Sequence, residues 1–562
     1  MRQNNSQQLS ETSNTAIGNI KTSKRKGVMS HTIPEIVGFD NTNLLKSPDS
    51  VIRDNAFRDR TDITTIEIPD CVTWIGDNAF RGCTSLTSIK IPDDVIWIGD
   101  NAFRGCTSLT SVEIPNSVTD FGKRVFYDCS SLISIKIPDI VTWIADGFFD
   151  GCTSLNSVEI PNSVTEIGKE AFFGCTSLIS LEIPNSVTKI GDCAFRDCAN
   201  LNSIEIPNSV TKIGNEAFYD CISLSFIEIP DSVTWIGDDV FRGCTNLTYL
   251  EIPDSVIEIG ERSFFDCTRL TSIVILDRVT KIGDSAFHGC TNLTSIEIPD
   301  SVTEIGDAAF ADCSNLTSIK IPNGLTTIRE WTFIGCSNLT SIAIPSSVTM
   351  IGEGAFLGCT RLTSVVIPCV TLIGEDAFRG CSGITSIKMP SVSFIGKDAF
   401  GGCLSLTSIE IPNTVSFIGK DAFSYCTSLK EFIVDEENKY YCSKDGVLYS
   451  KDMSVLVAVP GSKRSINIPV SVTKIGHGAC EGCESLTSVV VHDKVNIIEK
   501  CAFEDCNNLE ELHLRHKKPI DFSIAFPRLD LSNITLFVPI GTGYAYRHHP
   551  FYSQFAKVVT EK

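Results

Sequence analysis

The chain has 562 residues, a net charge of −21, 24 cysteines and 42% hydrophobic residues. An acidic balance of this size argues against nucleic acid and anionic membrane surfaces as partners. The sequence also contains no apolar run of about 18 residues, which argues against insertion into a membrane.

The first 48 residues are rich in Asn, Ser, Gln and Thr and contain one basic cluster, from Lys21 to Lys26. No apolar stretch follows this cluster, so neither a secretory signal nor a membrane span is visible. We predict a disordered polar segment over residues 1–48. Residues 31–50 are expected to supply the cap at the N-terminal end of the fold that follows.

A repeat of 23 residues begins near residue 49 and continues almost to the end of the chain. In the copy that starts at Leu178, Leu178 to Ile183 has the L-x-x-L-x-L form of a leucine-rich repeat strand, and Pro184 ends it. Val187 to Ile190 predicts a second short strand, and Gly191 permits the chain to reverse. The pattern predicts a mainly β solenoid, a leucine-rich repeat array of about nineteen coils over residues 49–431 and 467–514.

Two residue types recur at fixed positions of the repeat. A phenylalanine returns in each coil from Phe57 to Phe423, and eighteen of the cysteines occupy a second position, from Cys83 to Cys506. Since equivalent side chains of stacked coils lie above one another, we expect a spine of stacked rings beside a ladder of buried free thiols.

The repeat pattern I-P-x-S-V-T-x-I-G-x-x-A-F-x-x-C-x-x-L resembles that of the BspA-like leucine-rich repeat proteins over roughly residues 51–514. The segment from Tyr440 to Tyr449 also resembles a hairpin that interrupts the repeats in this family. The resemblance implies a cell-surface or secreted binding protein, with adhesion to host or extracellular-matrix proteins or to other cells as the usual role. The missing signal departs from the surface members of the family and leaves a location inside the cell as the alternative.

The fifth position of the first strand is acidic in five consecutive copies. By alternation, these side chains are expected to face outward. They indicate either a solvated face that was copied by duplication of the repeat, or a groove for a basic peptide, a basic protein surface or divalent cations. The five residues are Glu159, Glu182, Glu205, Glu228 and Glu251.

The third position of the same strand is serine in nearly every copy but aromatic in two consecutive ones, Phe226 and Tyr249. Exposed aromatic side chains beside carboxylates favour an anchor for an Arg- or Lys-bearing ligand. The alternative is that the two rings pack against each other across the strands.

The residue before the Ile-Gly of each copy varies between charged and large apolar types. Tryptophans stand there in four copies, and Leu372, Phe394 and Phe417 form a later apolar run. These side chains either expose contact patches or lie flat and pack between themselves. The four tryptophans are Trp74, Trp97, Trp143 and Trp235.

Two segments break the period. Residues 432–466 contain Asp445-Gly446 between two strand-like runs, which predicts an inserted β-hairpin element. Residues 515–562 predict a C-terminal cap with Ile534 to Val538 as its last strand. The histidines of the last two repeats and this cap, His513, His516, His548 and His549, are expected on the solvated surface.

Catalytic and cofactor motifs are missing from the sequence: there is no phosphate-binding loop, no H-E-x-x-H and no nucleophile elbow. The spacing of Cys480, Cys483, Cys501 and Cys506 is close to that of a zinc site, but the repeat explains it better. We therefore expect no metal and no cofactor. The sequence predicts a non-enzymatic solenoid that binds a protein partner, basic or from the extracellular matrix; an intracellular interaction scaffold is the alternative.

Overall fold

The structure, a computed structural model, describes residues 50–561. The chain winds into a β-solenoid of about 22 turns, which confirms the predicted fold. Most turns place one short strand on each of two faces, which we call the front ladder and the back ladder; neighbouring strands within each ladder are parallel. The front strands are Thr65–Glu67, Ser88–Lys90, Ser111–Glu113, Ser134–Lys136, Ser157–Glu159, Ser180–Glu182, Ser203–Glu205, Tyr249–Ile252, Ser272–Ile275, Ser295–Ile296, Ser318–Lys320, Ser341–Ala343, Ser364–Val366, Ser386–Lys388, Ser408–Ile411, Glu431–Val434, Ser465–Asn467, Ser488–Val491, Glu511–Leu514, Thr535–Pro539 and Lys557–Glu561.

The back ladder consists mainly of two-residue strands. In most copies the strand ends at the residue directly before the turn glycine. They are shorter than the predicted Val187 to Ile190 and its equivalents. The back strands are Val51–Ile52, Trp74–Ile75, Trp97–Ile98, Asp120–Phe121, Trp143–Ile144, Glu166–Ile167, Lys189–Ile190, Lys212–Ile213, Trp235–Ile236, Glu258–Ile259, Lys281–Ile282, Glu304–Ile305, Thr327–Ile328, Met350–Ile351, Leu372–Ile373, Phe394–Ile395, Phe417–Ile418, Val455–Ala458, Lys474–Ile475 and Ile497–Ile498.

The structure has about 22 turns, against the predicted nineteen or so. Two of the additional turns contribute the front strands Thr535–Pro539 and Lys557–Glu561 of the C-terminal cap, which continue the ladder without matching the repeat pattern. The predicted disordered segment 1–48 lies outside the described residues, as does nearly all of the predicted N-terminal cap, residues 31–50.

The alternation of exposed and buried side chains fixes which residues reach the solvent from the front ladder. Leu181 is buried between exposed Ser180 and Glu182, and Glu182 lies directly opposite Glu205 on the next strand. After each back strand a glycine is required in most turns. At Gly214, for example, a Cβ would lie 2.5 Å from Asp192 Oδ1, an oxygen that accepts a hydrogen bond from Asn215 N at 3.1 Å.

The core contains the predicted spine and thiol ladder. Successive phenylalanine rings from Phe57 to Phe423 have centroids 5.1 to 6.1 Å apart. All 24 cysteines are free. Each ladder thiol before the insertion donates to the carbonyl oxygen of the phenylalanine one coil earlier, as Cys244 Sγ does to Phe218 O at 3.2 Å. Burial raises the pKa of the Cys244 thiol, so this thiol stays protonated and unreactive.

Both ladders break at the insertion. The hairpin Tyr441–Lys444 and Val447–Ser450 is antiparallel and pairs with Val455–Ala458, which in turn runs parallel to Lys474–Ile475. The hairpin therefore belongs to the ladder that follows it. We call residues 50–434 the first array and residues 441–561 the second array.

The C-terminal cap closes the second array with Gly543–Arg547 as an α-helix and three 3-10 turns, Ser523–Ala525, Leu531–Asn533 and Tyr552–Gln554. Its last strand is Lys557–Glu561, so the predicted final strand near Ile534 to Val538 is the penultimate one. The prediction of a solvated His516 is also wrong: this side chain is buried, its Nε2 lies 2.7 Å from Val495 O, and burial lowers its pKa.

Candidate functional site

The five predicted front-face glutamates all lie exposed on consecutive turns of the front ladder. Within residues 50–561, no lysine or arginine forms an ion pair with any of them, and Glu251 alone among them accepts a hydrogen bond, from Tyr249 Oη at 3.3 Å. Stacked carboxylates about 5 Å apart repel by somewhat under 1 kcal/mol per pair in water. This stretch of the front ladder is therefore an uncompensated acidic surface, which we call the acidic stripe: Glu159, Glu182, Glu205, Glu228 and Glu251.

The acidic stripe is bounded on both sides. Towards the N-terminus, Lys136 lies directly opposite Glu159, the first glutamate of the stripe. Lys90 lies opposite both Glu67 and Glu113, so charges of opposite sign alternate up to the stripe. Towards the C-terminus, Val274 lies opposite Glu251. The run of consecutive glutamates thus covers five turns of the front ladder.

The back ladder of the same turns compensates its acids. Lys189 pairs with Glu166, and Lys281 pairs with Glu258 at 3.3 Å. Repeat duplication by itself therefore does not explain unpaired acids, because the same coils carry paired ones on the opposite side. The two ladders of these coils therefore differ in how their acids are paired.

Phe226 and Tyr249 stand on adjacent turns within the acidic stripe. Their exposed fractions are 55% and 38%, and their rings make no contact with each other in the described structure. The cross-strand packing that was the alternative to an anchor is therefore not formed. The two side chains are available as separate apolar contacts beside Glu228 and Glu251.

The front ladder is interrupted at the turn of Phe226, which has no assigned strand between Ser203–Glu205 and Tyr249–Ile252. The bond from Ser225 N to Asn202 O is 3.5 Å long, and that from Thr248 N to Ser225 O is 3.4 Å long. The equivalent bond from Asn202 N to Ile179 O measures 3.0 Å. The aromatic pair thus coincides with a locally loosened part of the ladder.

The four tryptophans of the back ladder are not brought into one patch. Trp74 is 41% exposed and packs against the half-buried Trp97, with ring centroids 5.3 Å apart. Trp143 is half-buried and donates from Nε1 to Asp120 Oδ1 at 2.8 Å, and Trp235 lies half-buried four turns further along. The tryptophans therefore do not form one continuous exposed surface.

A third ladder, which sequence reasoning missed, runs along the edge after the core phenylalanines. Here arginine and aromatic side chains alternate on successive turns: Arg196 lies 4.1 Å from the Tyr219 ring centroid, and Arg242 lies 5.2 Å from Tyr219 and 4.7 Å from Phe265. The signal was the residue that directly follows the core phenylalanine. Cation–π contacts of this kind rigidify the edge of the solenoid.

Trp331 was also missed. It is 40% exposed and has a positive φ of 53°, an unusual conformation for a large side chain. Its indole lies over Gly354, where a Cβ would approach Trp331 Cδ1 to 2.5 Å. The signal was a tryptophan in a repeat position held by small or polar residues in most other copies.

No group of three or more His, Cys, Asp or Glu side chains among residues 50–561 is arranged to hold a metal ion. Cys506 Sγ instead donates to Cys480 O at 3.0 Å, continuing the thiol ladder. None of the helices in this part of the chain has the length and apolar character needed to span a bilayer.

Parallel short strands, a regular hydrophobic core and almost no helix define the class of this protein as a leucine-rich repeat solenoid. The family follows from the sequence of the coils. A model of the BspA type leucine rich repeat region, in six copies, matches residues 50–179, 165–294, 257–372, 359–445 and 461–540, and the chain belongs to this family. This family is generally non-catalytic, and its fold suggests protein binding.

Several solved structures similar to the chain come from bacteria. A leucine-rich repeat protein from Bacteroides ovatus is 31% identical over 73% of this chain and 88% of its own, with a TM-score of 0.45. A leucine rich cell surface protein from Faecalibacterium prausnitzii is 30% identical over 69% and 83%, with a TM-score of 0.32. A leucine-rich repeat protein from Eubacterium ventriosum is 26% identical over 53% of this chain and 84% of its own, with a TM-score of 0.38. No curated protein matches the chain.

Proposed function

We propose that this protein is a non-enzymatic binding solenoid whose acidic stripe receives a basic surface of a protein partner. The observation that supports this most strongly is the contrast between the two ladders of the same coils. Acids of the back ladder are paired with lysines, whereas those of the stripe are exposed and unpaired. Clustered uncompensated charge of one sign attracts and orients a partner of the opposite sign.

The aromatic pair, Phe226 and Tyr249, adds binding affinity that exposed charges alone do not provide. Exposed ion pairs contribute little to affinity, about 0.2 to 1 kcal/mol each, whereas aromatic anchors contribute more. Phe226 and Tyr249 stand beside Glu228 and Glu251. The guanidinium group of one arginine can therefore stack on a ring and pair with a carboxylate at the same time. A partner with an Arg- or Lys-rich surface fits both features.

The charge part of this proposal is tested with two matched double variants. Glu182→Gln with Glu205→Gln is expected to weaken binding of a synthetic Arg-rich peptide about fivefold at low salt, because two attractive contacts are lost. The control, Glu67→Gln with Glu113→Gln, removes the same charge from the same ladder where Lys90 already compensates it, and should bind like the wild type. Calorimetric titration measures both. Equal losses in the two variants, or no binding of the peptide by the wild type, would refute the proposal.

For location we propose the cell surface, with adhesion as the role that the family resemblance implies. The alternative is an intracellular scaffold, which the 24 free thiols favour, since reduced cysteines are typical of the cell interior. Fractionation of cells of the native source distinguishes the two. Surface labelling of the intact cells should tag the protein; recovery in the cytosol alone would rule out adhesion.

A further inference from the structure

The two arrays meet at a junction built from side chains far apart in the sequence. His477 Nδ1 of the second array lies 2.8 Å from Asp421 Oδ1 of the first. Tyr425 N donates to Glu481 O at 3.2 Å, and the Tyr425 hydroxyl donates to Asp505. A cavity of about 150 Å³ opens beside these contacts. Continuous ladder pairing is missing here, so these contacts couple the arrays.

Two carboxyl groups converge at the centre of the junction. A Cβ added at Gly478 would lie 1.8 Å from Asp421 Oδ1 and 2.8 Å from Glu481 Oε2. Burial, followed by the charge of Asp421 and a hydrogen bond to it, raises the pKa of Glu481 to about 8. At neutral pH, Glu481 is therefore protonated, and its carboxyl O–H donates a hydrogen bond to the Asp421 carboxylate.

The surroundings of Glu481 are mostly acidic or neutral. Within residues 50–561, no lysine or arginine forms an ion pair with Glu481; the arginine near it, Arg379, pairs with Asp376 at 3.0 Å. Lys474 on the far side of the cavity pairs with Glu499 at 2.8 Å. The other titratable groups around the junction are Asp398, Lys420, Tyr425, His477, Cys483, Cys501, Glu504, Asp505 and Cys506.

We propose that this junction is a pH-dependent clamp, in which a proton shared by Glu481 and Asp421 holds the two arrays together and its loss loosens them. Once both carboxyl groups are ionised, they repel across a poorly solvated contact. Within residues 50–561 neither forms an ion pair with a lysine or arginine, and the basic side chain beside them is His477, 2.8 Å from Asp421. The proposal is independent of the binding function, because the junction lies outside the acidic stripe.

The direction of the pH effect follows from the pKa of Glu481 in the two states. It is about 8 in the closed junction, against an ordinary value of 4.5 when the contact is open. The stabilisation is therefore complete below about pH 4.5 and is lost progressively as the pH rises to about 8. Asp150 in the first array, whose pKa burial raises to about 7, titrates in the same range, so a global unfolding measurement would mix the two effects.

Hydrogen exchange of single amides in the full chain separates the effect of Glu481 at the junction from that of Asp150 in the first array. The reporters are Tyr425 N and Ser462 N, which donates to Leu429 O at 3.0 Å; the reference is Phe195 N, bonded to Ala217 O at 2.8 Å. Taking the ratio of exchange rates removes the intrinsic effect of pH. Between about pH 6 and pH 8 we expect the exchange rates of the reporter amides to increase more than tenfold relative to that of the reference amide. Each pH unit in this window changes the opening equilibrium of the junction by up to about tenfold.

Three variants make the result specific. Glu481→Gln keeps a neutral donor to Asp421 and should hold the ratio constant across this range. Asp421→Asn removes the neighbouring charge that, together with burial, raises the pKa of Glu481. In this variant the ratio of exchange rates should rise less steeply with pH than in the wild type. Glu484→Gln, at an exposed position of the same coil, should behave like the wild type. A constant ratio in the wild type, or an undiminished slope in Glu481→Gln or Asp421→Asn, would overturn the proposal.

Discussion

Replacing Phe241 with alanine is expected to lower the free energy of unfolding by about 3 to 5 kcal/mol. Its ring is fully buried in the middle of the first array, with the rings of Phe218 and Phe264 at 5.7 and 5.5 Å on its two sides. Both neighbours are fixed by backbone hydrogen bonds to the next coil, from Phe218 N to Val240 O at 2.9 Å and from Phe264 N to Ala286 O at 2.8 Å. The cavity therefore cannot collapse, and the full cost of lost contacts remains.

Because the solenoid is a linear stack of coils, the position of the Phe241→Ala cavity along the stack affects how cooperatively the protein unfolds. Stability in a repeat array is approximately a sum of coil terms and nearest-neighbour interfaces, so a weak interface in the middle separates two blocks that then unfold independently. Urea denaturation followed by circular dichroism should show a broadened transition for Phe241→Ala.

Two controls bracket this result. Phe423→Ala removes the last ring of the spine, which stacks on one neighbour, Phe400, and meets Phe432 edge-on, and should cost less. Phe226→Ala removes an exposed ring and should leave the midpoint nearly unchanged. A Phe241→Ala variant as stable as Phe226→Ala would show that the spine does not hold the array together.

The solenoid could be predicted from the sequence because each coil repeats the same local instructions. Leu178, Leu181 and Ile183 recur at the spacing of one strand, and Pro184 marks its end, so strands, core and register follow from a single copy. Exposure on the front ladder followed as well, because alternation along an extended strand is a local property. Glu182 and Glu205 therefore stand exposed and opposite one another as expected.

Features that depend on contacts between non-equivalent positions could not be predicted. Asp421 and His477 are 56 positions apart and meet because the insertion returns the chain to the same edge. The burial of His516 depends on the cap folding over it, where Tyr546 Oη donates to His516 O at 3.0 Å. No local periodicity encodes such contacts, because they join positions that the 23-residue spacing does not bring together.

The packing of side chains on the back ladder was also undetermined by pattern. The same position holds Trp74, which leans on Trp97, and Trp143, which bonds to Asp120. Whether a tryptophan is exposed depends on the residue one turn away. The pattern of a single copy therefore could not distinguish exposed contact patches from side chains that pack against one another. On the front ladder the neighbouring side chains are mostly short serines, so Phe226 and Tyr249 remain exposed.

Changing Phe226 and Tyr249 together to serine is expected to weaken binding of a basic peptide about 30-fold or more, the loss of at least about 2 kcal/mol that is typical of aromatic anchors. The thermal midpoint should stay nearly unchanged, because the two rings are 55% and 38% exposed and do not contact each other. Serine is also the residue that most other coils place there, as in Ser203 and Ser272. Calorimetric titration with the same Arg-rich peptide, together with a thermal melt, measures both quantities.

A matched control makes the same chemical change on the opposite side of the solenoid. Phe394 and Phe417 on the back ladder are 37% and 47% exposed, and their rings stack at 4.7 Å. Their double serine variant should bind the peptide like the wild type but melt earlier, since it loses a stacked pair. Undiminished binding by the Phe226 and Tyr249 double variant would remove the aromatic anchor and leave charge as the sole attraction of the front ladder, whereas a loss shared by both double variants would indicate general adhesion of the peptide to exposed rings.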